Sequence, residues 1–367
     1  MKKLNKRLLS LVLAICLVLS MAAPVAAAPA GKVSFTQVDN SAVSADLLTK
    51  VDEDINTMEN YVDTDDVRVS IFLEEESTIA AGFSTDSIAA NSEAMAYRAG
   101  LKENQAKITA AIEQKLGGKL DVVWNLTLAA NIISANVKYG QIAKIEAVEG
   151  VKEVLIETAY EPAVVETAET VDPNMATSSK QIGSAAAWAA GYTGAGSRIA
   201  VIDTGSDTDH QSLNAEAFEY ALAQLAEKAG VSYEEYVASL DLLDADEIAS
   251  VADQLNAPVS GEAYINAKLP FGYNYIDEDL NVTHDLDTQG SHGSHVAGIT
   301  ANSYIPTEDG FVSALSSAMV QGVAPEAQLI TMKVFGKAGG AYDSDYMAAI
   351  EDAIVLGCDS ANLSLGS

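Results

Sequence analysis

Continuous apolar segments alternate with helical segments over residues 179–367, and this alternation constrains the fold most. Strands that alternate with helices predict an α/β domain with a parallel sheet covered by helices. Functional groups in such sheets gather beyond the carboxyl ends of the strands, and Asp203 lies there because it ends the first apolar run. The apolar runs lie at residues 198–203, 270–276, 327–335 and 360–365, and two helical patterns lie near residues 292–303 and 344–356.

Residues 214–256 interrupt this alternation with three consecutive helical patterns. Two of them begin with the pairs Ser232/Glu235 and Asp244/Glu247, and this spacing is typical of a capping box at a helix N-terminus. We interpret residues 214–256 as a helical insertion on the surface of the sheet domain.

A different pattern precedes the sheet domain, in residues 67–157. Its segments follow the order strand, helix, strand, strand, helix, strand, which predicts a small α+β domain of ferredoxin-like arrangement. Residues 158–178 are rich in Glu, Thr, Ala and Pro and are predicted to form an acidic linker. The pattern alone indicates a fold and no function.

The N-terminus is typical of a secretory signal peptide. Cationic residues within the first seven positions precede the apolar run 8–19, and small residues follow up to a cleavage site between Ala27 and Gly31. We therefore assign residues 1–30 to a signal peptide and residues 31–66 to a polar leader, and we predict a secreted or cell-envelope location. The apolar run is too short to span a bilayer, and no other segment of the sequence is a transmembrane candidate.

The charge of the chain excludes one class of partner. With 52 acidic against 21 basic residues, the formal net charge is -31. Such a chain should repel nucleic acid, so no nucleic-acid partner is expected. Cys16 lies in the signal peptide, which leaves Cys358 as the one cysteine of the exported chain and excludes an intrachain disulfide.

Asp203 admits more than one interpretation. An acid that directly follows a buried strand is costly unless a partner pairs with it, although it could simply cap a turn with Gly205. The string Asp-Thr-Gly also matches pepsin-like aspartic proteases, in which two such aspartates share one proton. That alternative requires a second copy or a dimer of a β-rich chain, whereas this chain carries one copy in an α/β pattern.

His292 lies between small residues in the string QGSHGSHVAGITAN (residues 289–302). A neutral imidazole can take a proton from a hydroxyl nucleophile if a buried carboxylate holds its other nitrogen. The small Gly293 and Ser294 would let a substrate reach the ring. Two alternatives stay open at this point. His292 and His295 could bind one metal ion, although a third protein ligand is missing, or His292 could be a core histidine with no chemical role.

Four strings occur in order along the chain: VIDTG, HGSHVAG, GVAPEAQLITMKVFG and NLSLGS. Together they resemble the subtilisin-like serine proteases, over a stretch from about Ile182 to Ser367. The resemblance implies Asp203 as the orienting acid, His292 as the general base, and protein or peptide substrates. It also implies that backbone edges hold the substrate as an added strand, at Gly339, Gly340, Ser364, Leu365 and Gly366.

Two further features are shared with large cell-envelope proteases of the lactocepin and C5a-peptidase kind. They are the string KLPFGYNYID (residues 268–277) and the long gap between Asp203 and His292. The resemblance also implies that residues 67–157 are an inhibitory propeptide. This domain would act as an intramolecular inhibitor and be cut off within residues 158–178.

The resemblance also identifies what is missing. The family nucleophile is a serine in a G-T-S-M-A-like segment after NLSLGS, and the oxyanion-hole asparagine also follows that string. Neither occurs in this sequence. Ser364 matches the substrate strand by position and is therefore not the nucleophile. We therefore predict that the sequence is the N-terminal part of a longer precursor and that it is inactive alone. The alternative is a non-catalytic secreted protein, an inhibitor or propeptide-type binding protein.

No certain cofactor is predicted. Subtilisins often bind calcium through an aspartate two residues after the histidine that matches His210, and Ser212 occupies that place here. A structural calcium ion in the full-length protein is therefore left open.

Overall fold

The computed structural model of this chain describes residues 61–162, 181–285, 287, 289–315, 321–337 and 340–366. Residues 61–367 group into one compact unit by their contacts. The predicted signal peptide, most of the leader and the linker beyond residue 162 lie outside the described residues. Within the described ranges, no helix is long and apolar enough to cross a membrane.

Residues 66–156 form an antiparallel sheet with two helices, which we call the ferredoxin-like unit. Its elements are β1 (Asp66–Leu73), α1 (Ser92–Leu116), β2 (Asp121–Leu126), β3 (Ile132–Lys138), α2 (Ile142–Glu146) and β4 (Val151–Ile156). The strand order is β2-β3-β1-β4, with β1 antiparallel to both β3 and β4. This is the predicted arrangement, and its core consists of apolar side chains that alternate along the strands and recur at helical spacing on α1.

The second sheet is parallel, as the apolar runs predicted. Its strands are β6 (Arg198–Asp203), β7 (Phe271–Asn274), β10 (Gln328–Lys333) and β12 (Ser360–Leu363), in the order β12-β6-β10-β7. Lys333 lies beside Asp203, and Leu363 lies beside Ile202. The carboxyl ends of three strands therefore meet at one edge, where Asp203 lies.

Helices and short strands surround this sheet. The helix predicted at residues 292–303 is shorter than expected. The observed helix, α7 (His292–Ala297), continues only as a 3-10 turn. The remaining elements here are α3 (Ser184–Ala189), α7 (His292–Ala297), the hairpin β8 (Tyr304–Thr307) and β9 (Gly310–Ser313), and α8 (Asp343–Val355).

All three predicted helices of the insertion are present: α4 (Ala215–Ala229), α5 (Tyr233–Ala238) and α6 (Ala245–Ser250). Asn214, Ser232 and Asp244 cap them by accepting backbone N–H groups. The structure differs from the expected surface insertion in one respect. Leu243, Ile248 and Leu255 are buried in the same core as the sheet side chains Ala200 and Ile202, so the insertion also covers the sheet.

Residues 159–162 differ from the expected linker. Ala159–Pro162 form a strand, β5, which pairs antiparallel with β11 (Ala341–Tyr342) on one side and with β13 (Leu365–Gly366) on the other. Backbone pairing with two edges outweighs a composition that favours a linker.

Lys268 is a fully buried lysine beneath the insertion. Its Nζ donates to the carbonyl oxygens of Pro325 (2.8 Å) and Ala327 (2.5 Å). Burial lowers the pKa of Lys268 from 10.5 to about 7, and the nearby Glu326 carboxylate opposes this shift. In the unfolded chain the amine keeps its ordinary pKa, so between pH 7 and 10 the unfolded state binds more protons. The contribution of Lys268 to stability therefore rises with pH in this window.

We expect Lys268→Met to remove this rise. The difference in unfolding free energy between wild type and Lys268→Met should grow by up to about 1.4 kcal/mol per pH unit above pH 7. Denaturant titrations at pH 7, 8 and 9 would measure it, with the exposed Lys228→Met on α4 as the matched control. Equal pH slopes for wild type and Lys268→Met would contradict the expectation.

Candidate active site

Asp203 ends β6 and is fully buried. Its Oδ1 accepts the backbone N–H of Thr204 (2.7 Å), while Oδ2 has no hydrogen-bond partner among the described residues. Gly205 then turns the chain at φ 99°, and a Cβ atom there would overlap the carbonyl oxygen of Val282. Only glycine fits this turn, so the strand end and its carboxylate are fixed in place.

His292 is the first residue of α7 and lies against this carboxylate. Its Nδ1 is 2.8 Å from Asp203 Oδ1, although the two residues are 89 positions apart. The His292 side chain is 15% exposed and the Asp203 side chain 1%. A buried carboxylate thus holds one ring nitrogen in a partly exposed imidazole, and with Nδ1 protonated, Nε2 is the proton acceptor.

Thr204 joins the two loops that carry these residues. Its Oγ1 accepts the backbone N–H of Gly293 (2.9 Å) and donates to the carbonyl of Gly290 (3.3 Å). A Cβ atom on Gly293 would overlap the carbonyl oxygen of Gly205. The small size of Gly293 therefore serves the close approach of the Asp203 loop, a role different from the substrate access that the sequence suggested.

The two histidines of the metal alternative differ in their surroundings. His295 is exposed one turn after His292, whose Nδ1 is engaged by Asp203. Ser212 offers no carboxylate in the place where calcium-binding subtilisins have one. Across the described part of the chain, no group of three or more His, Cys, Asp or Glu side chains is arranged to hold a metal ion.

The predicted substrate edges lie on either side of β5. Leu365 and Gly366 pair with Pro162 and Glu161, and Gly340 approaches the backbone of Tyr160 so closely that a Cβ atom would overlap its carbonyl oxygen. Ser364 lies between β12 and β13, and its hydroxyl donates to Asn362 Oδ1 (2.8 Å). Gly339 lies outside the described residues. Two backbone edges therefore hold an extended segment of this chain between them.

A comparison with known protein families gives a match over the residues that form the second sheet. Residues 194–367 match the Peptidase S8 profile, the subtilase family. Over these residues the chain is similar to the subtilases. We call residues 194–367 the subtilase segment.

Individual relatives agree with this match. The chain is 28% identical to the PI-type proteinase of Lactococcus lactis subsp. cremoris over 267 residues, which cover 72% of this chain and 12% of that protein. It is 24% identical to the minor extracellular protease Vpr of Bacillus subtilis over 338 residues (88% of this chain, 33% of that protein). It is 29% identical to the C5a peptidase of Streptococcus pyogenes over 176 residues (47% of this chain, 12% of that protein). The predicted likeness to lactocepin and C5a-peptidase proteins is confirmed, and this chain spans about an eighth of their length.

Helix α8 of the subtilase segment contacts the ferredoxin-like unit through buried carboxylates. Glu351 accepts the backbone N–H groups of Leu128 (2.7 Å), Ala129 (2.8 Å) and Thr127 (3.3 Å). The guanidinium of Arg98 lies 3.5 Å from the same carboxylate. Burial raises the pKa of Glu351, and the positive charge of Arg98 and the backbone N–H groups oppose that shift.

Asp345 and Glu157 continue this contact at the start of α8. Both carboxylate oxygens of Asp345 accept from Arg68 Nη1 (2.8 and 2.9 Å), and Oδ1 also accepts the indole N–H of Trp124 (2.8 Å). Glu157 accepts the hydroxyl of Ser344 (2.8 Å). Sequence reasoning missed these residues, although acids on the apolar face of α8 are a signal that could have found them, because an acid there is costly unless it is paired.

Proposed function

We propose that the chain is part of a secreted subtilisin-like serine endopeptidase precursor, which hydrolyses peptide bonds with an Asp/His/Ser triad. Asp203 and His292 are its acid and base, and the serine is supplied by residues outside these 367. The observation that carries the proposal is the 2.8 Å contact between His292 Nδ1 and the buried Asp203 carboxylate. The order of the family motifs and the subtilase match support it.

In this mechanism the serine oxygen attacks the scissile carbonyl while His292 Nε2 takes its proton. Asp203 holds the ring by its other nitrogen and stabilises the imidazolium that forms. His292 then returns the proton to the leaving amine, and water repeats the sequence to release the acyl group. Because Asp203 is buried, its negative charge acts on the imidazolium with little screening by solvent.

We further propose that protein substrates bind as a strand between Ala341–Tyr342 and Leu365–Gly366. The support is β5, a segment of the chain that already pairs with both edges. The ferredoxin-like unit would then act as an intramolecular inhibitor, with β5 filling the substrate groove. Processing would separate it within residues 163–178, because residues 159–162 are held in the sheet.

A non-catalytic inhibitor remains the rival function, and β5 and the ferredoxin-like unit alone would suit it. Asp203 and His292 favour the protease. A buried carboxylate is costly, and a scaffold without chemistry has no need for an imidazole aligned with it.

A serine-directed fluorophosphonate tests the protease proposal. The complete open reading frame should yield a protein that the probe labels, with casein hydrolysis lost in proportion to labelling. The mature N-terminus, read by Edman sequencing, should fall within residues 164–179. Two outcomes would exclude this function. One is a protein that hydrolyses casein but is not labelled by the probe; the other is a protein that, after removal of residues 1–163, neither hydrolyses casein nor is labelled.

A further inference from the structure

A buried ion pair lies beside the candidate triad and takes no part in the mechanism above. Lys333 ends β10 next to Asp203, and its Nζ donates to Asp287 Oδ2 (2.6 Å) and to the carbonyl oxygen of Thr204 (2.6 Å). The Lys333 and Asp287 side chains are 1% and 2% exposed. Two opposite charges so completely removed from water need a reason beyond stability, because an apolar pair of similar volume often serves as well.

Each of the two groups that accept a hydrogen bond from Lys333 is connected to Asp203 or to the segment before His292. Thr204 donates its N–H to Asp203 Oδ1 (2.7 Å) and binds the N–H of Gly293, the residue after His292. Asp287 accepts the N–H of Gln289, three positions before His292, through Oδ1 (2.9 Å). One ammonium group therefore connects the loop of the acid with the loop of the base.

We propose that Lys333 and Asp287 are positioning residues that hold Asp203 and His292 in contact. The inference rests on the proposed function where catalysis is concerned, but the contact itself exists without the nucleophile. The ammonium fixes the Thr204 carbonyl from one side and the Asp287 carboxylate from the other. Without it the two loops keep the links through Thr204 and the hydrogen bond from the Asp207 N–H to Ser294 Oγ (2.8 Å), but nothing holds the Asp287 carboxylate against the Thr204 carbonyl.

The test measures the contact and the catalysis separately. In the 367-residue chain, the downfield proton resonance of the His292 Nδ1–H···Asp203 hydrogen bond reports the contact by NMR, with His292→Gln for assignment. In the complete protease, steady-state kinetics on a peptide substrate report the consequence. The variants are Lys333→Met, Asp287→Asn, Lys333→Arg and the double variant Lys333→Met/Asp287→Leu. Lys337→Met, whose side chain is 47% exposed near Asp279, is the matched control.

We expect Lys333→Met and Asp287→Asn to lose the resonance and to lower kcat at least tenfold, with KM changed less than about twofold, because loss of alignment slows the chemical step. The double variant should regain thermal stability, since it buries no unpaired charge. Its resonance should nevertheless stay absent and its kcat should stay low. Lys333→Arg keeps the charge and should recover part of both. Lys337→Met should match wild type.

Two results would overturn the inference. One is a folded Lys333→Met that keeps the resonance and kcat; the other is a double variant that regains both along with stability, which would make the pair purely structural. If Lys333→Met fails to fold, the double variant and Lys333→Arg decide the question. A complete protein without protease activity whose resonance still responds to these variants would refute the proposed function and leave the positioning role standing.

Discussion

His292→Ala in the complete protease is expected to lower kcat by about 10⁶, and Asp203→Asn by about 10⁴, the magnitudes known for the same roles in subtilisin and in serine proteases generally. Without the imidazole nothing accepts the proton of the nucleophile. With asparagine at 203 the ring can be held in the wrong tautomer, because the amide offers an N–H where the carboxylate accepts one. KM should change little in either variant, since neither side chain lies on the backbone edges that hold β5.

His295→Ala is the matched control for this prediction. The residue lies on the same helix, one turn on, and is exposed. Hydrolysis of a chromogenic peptide, with active sites counted by fluorophosphonate labelling, would measure all three variants. A His292→Ala enzyme within tenfold of wild type would show that His292 is not the base, and a large loss in His295→Ala would point to a site built around both histidines.

The pair Asp203–His292 could be predicted because four strings occur in a family-like order along the chain, whereas each string alone left more than one interpretation open. The helices of the insertion could be predicted from local residues, since capping residues such as Ser232 act on neighbours three positions away. Periodicity also indicated the ferredoxin-like arrangement, because apolar residues alternate along β1 and recur at helical spacing on α1.

The contacts that join distant parts of the chain could not be predicted. Lys333 and Asp287 are 46 positions apart, and Glu351 and Leu128 are 223 apart. Nothing local distinguishes such a buried lysine or glutamate from a solvated one. The strand β5 was missed because its pairing depends on two edges, at Ala341–Tyr342 and Leu365–Gly366, that come roughly 180 and 200 residues later. Composition describes the segment alone, whereas the edges determine its conformation.

Glu351→Ala is expected to release the ferredoxin-like unit from the subtilase segment. The substitution leaves the N–H groups of residues 127–129 without an acceptor, and it leaves the guanidinium of Arg98, a residue that is 2% exposed, without its counter-ion. Removing one partner of a buried ion pair costs about 3–5 kcal/mol. At 1.4 kcal/mol per tenfold change, the docked state should lose about 10²-fold or more in population. Glu351→Gln keeps the shape but not the charge, so its effect should be smaller.

Amide hydrogen exchange in the intact precursor would measure this release. The amides of Leu128 and Ala129 should exchange faster simply because they lose their acceptor, so they do not decide the matter. The informative amide is that of Thr158, which donates to Asp343 Oδ2 (2.7 Å) at the other end of the contact. It should accelerate about 10²-fold in Glu351→Ala if the unit leaves as a whole, and hydrolysis of a small peptide by the unprocessed precursor should rise with it. Glu227→Ala, an exposed glutamate on α4, should change neither. Faster exchange confined to residues 127–129 would mean that Glu351 orders one loop only, and that β5 and Asp345 hold the ferredoxin-like unit in place without it.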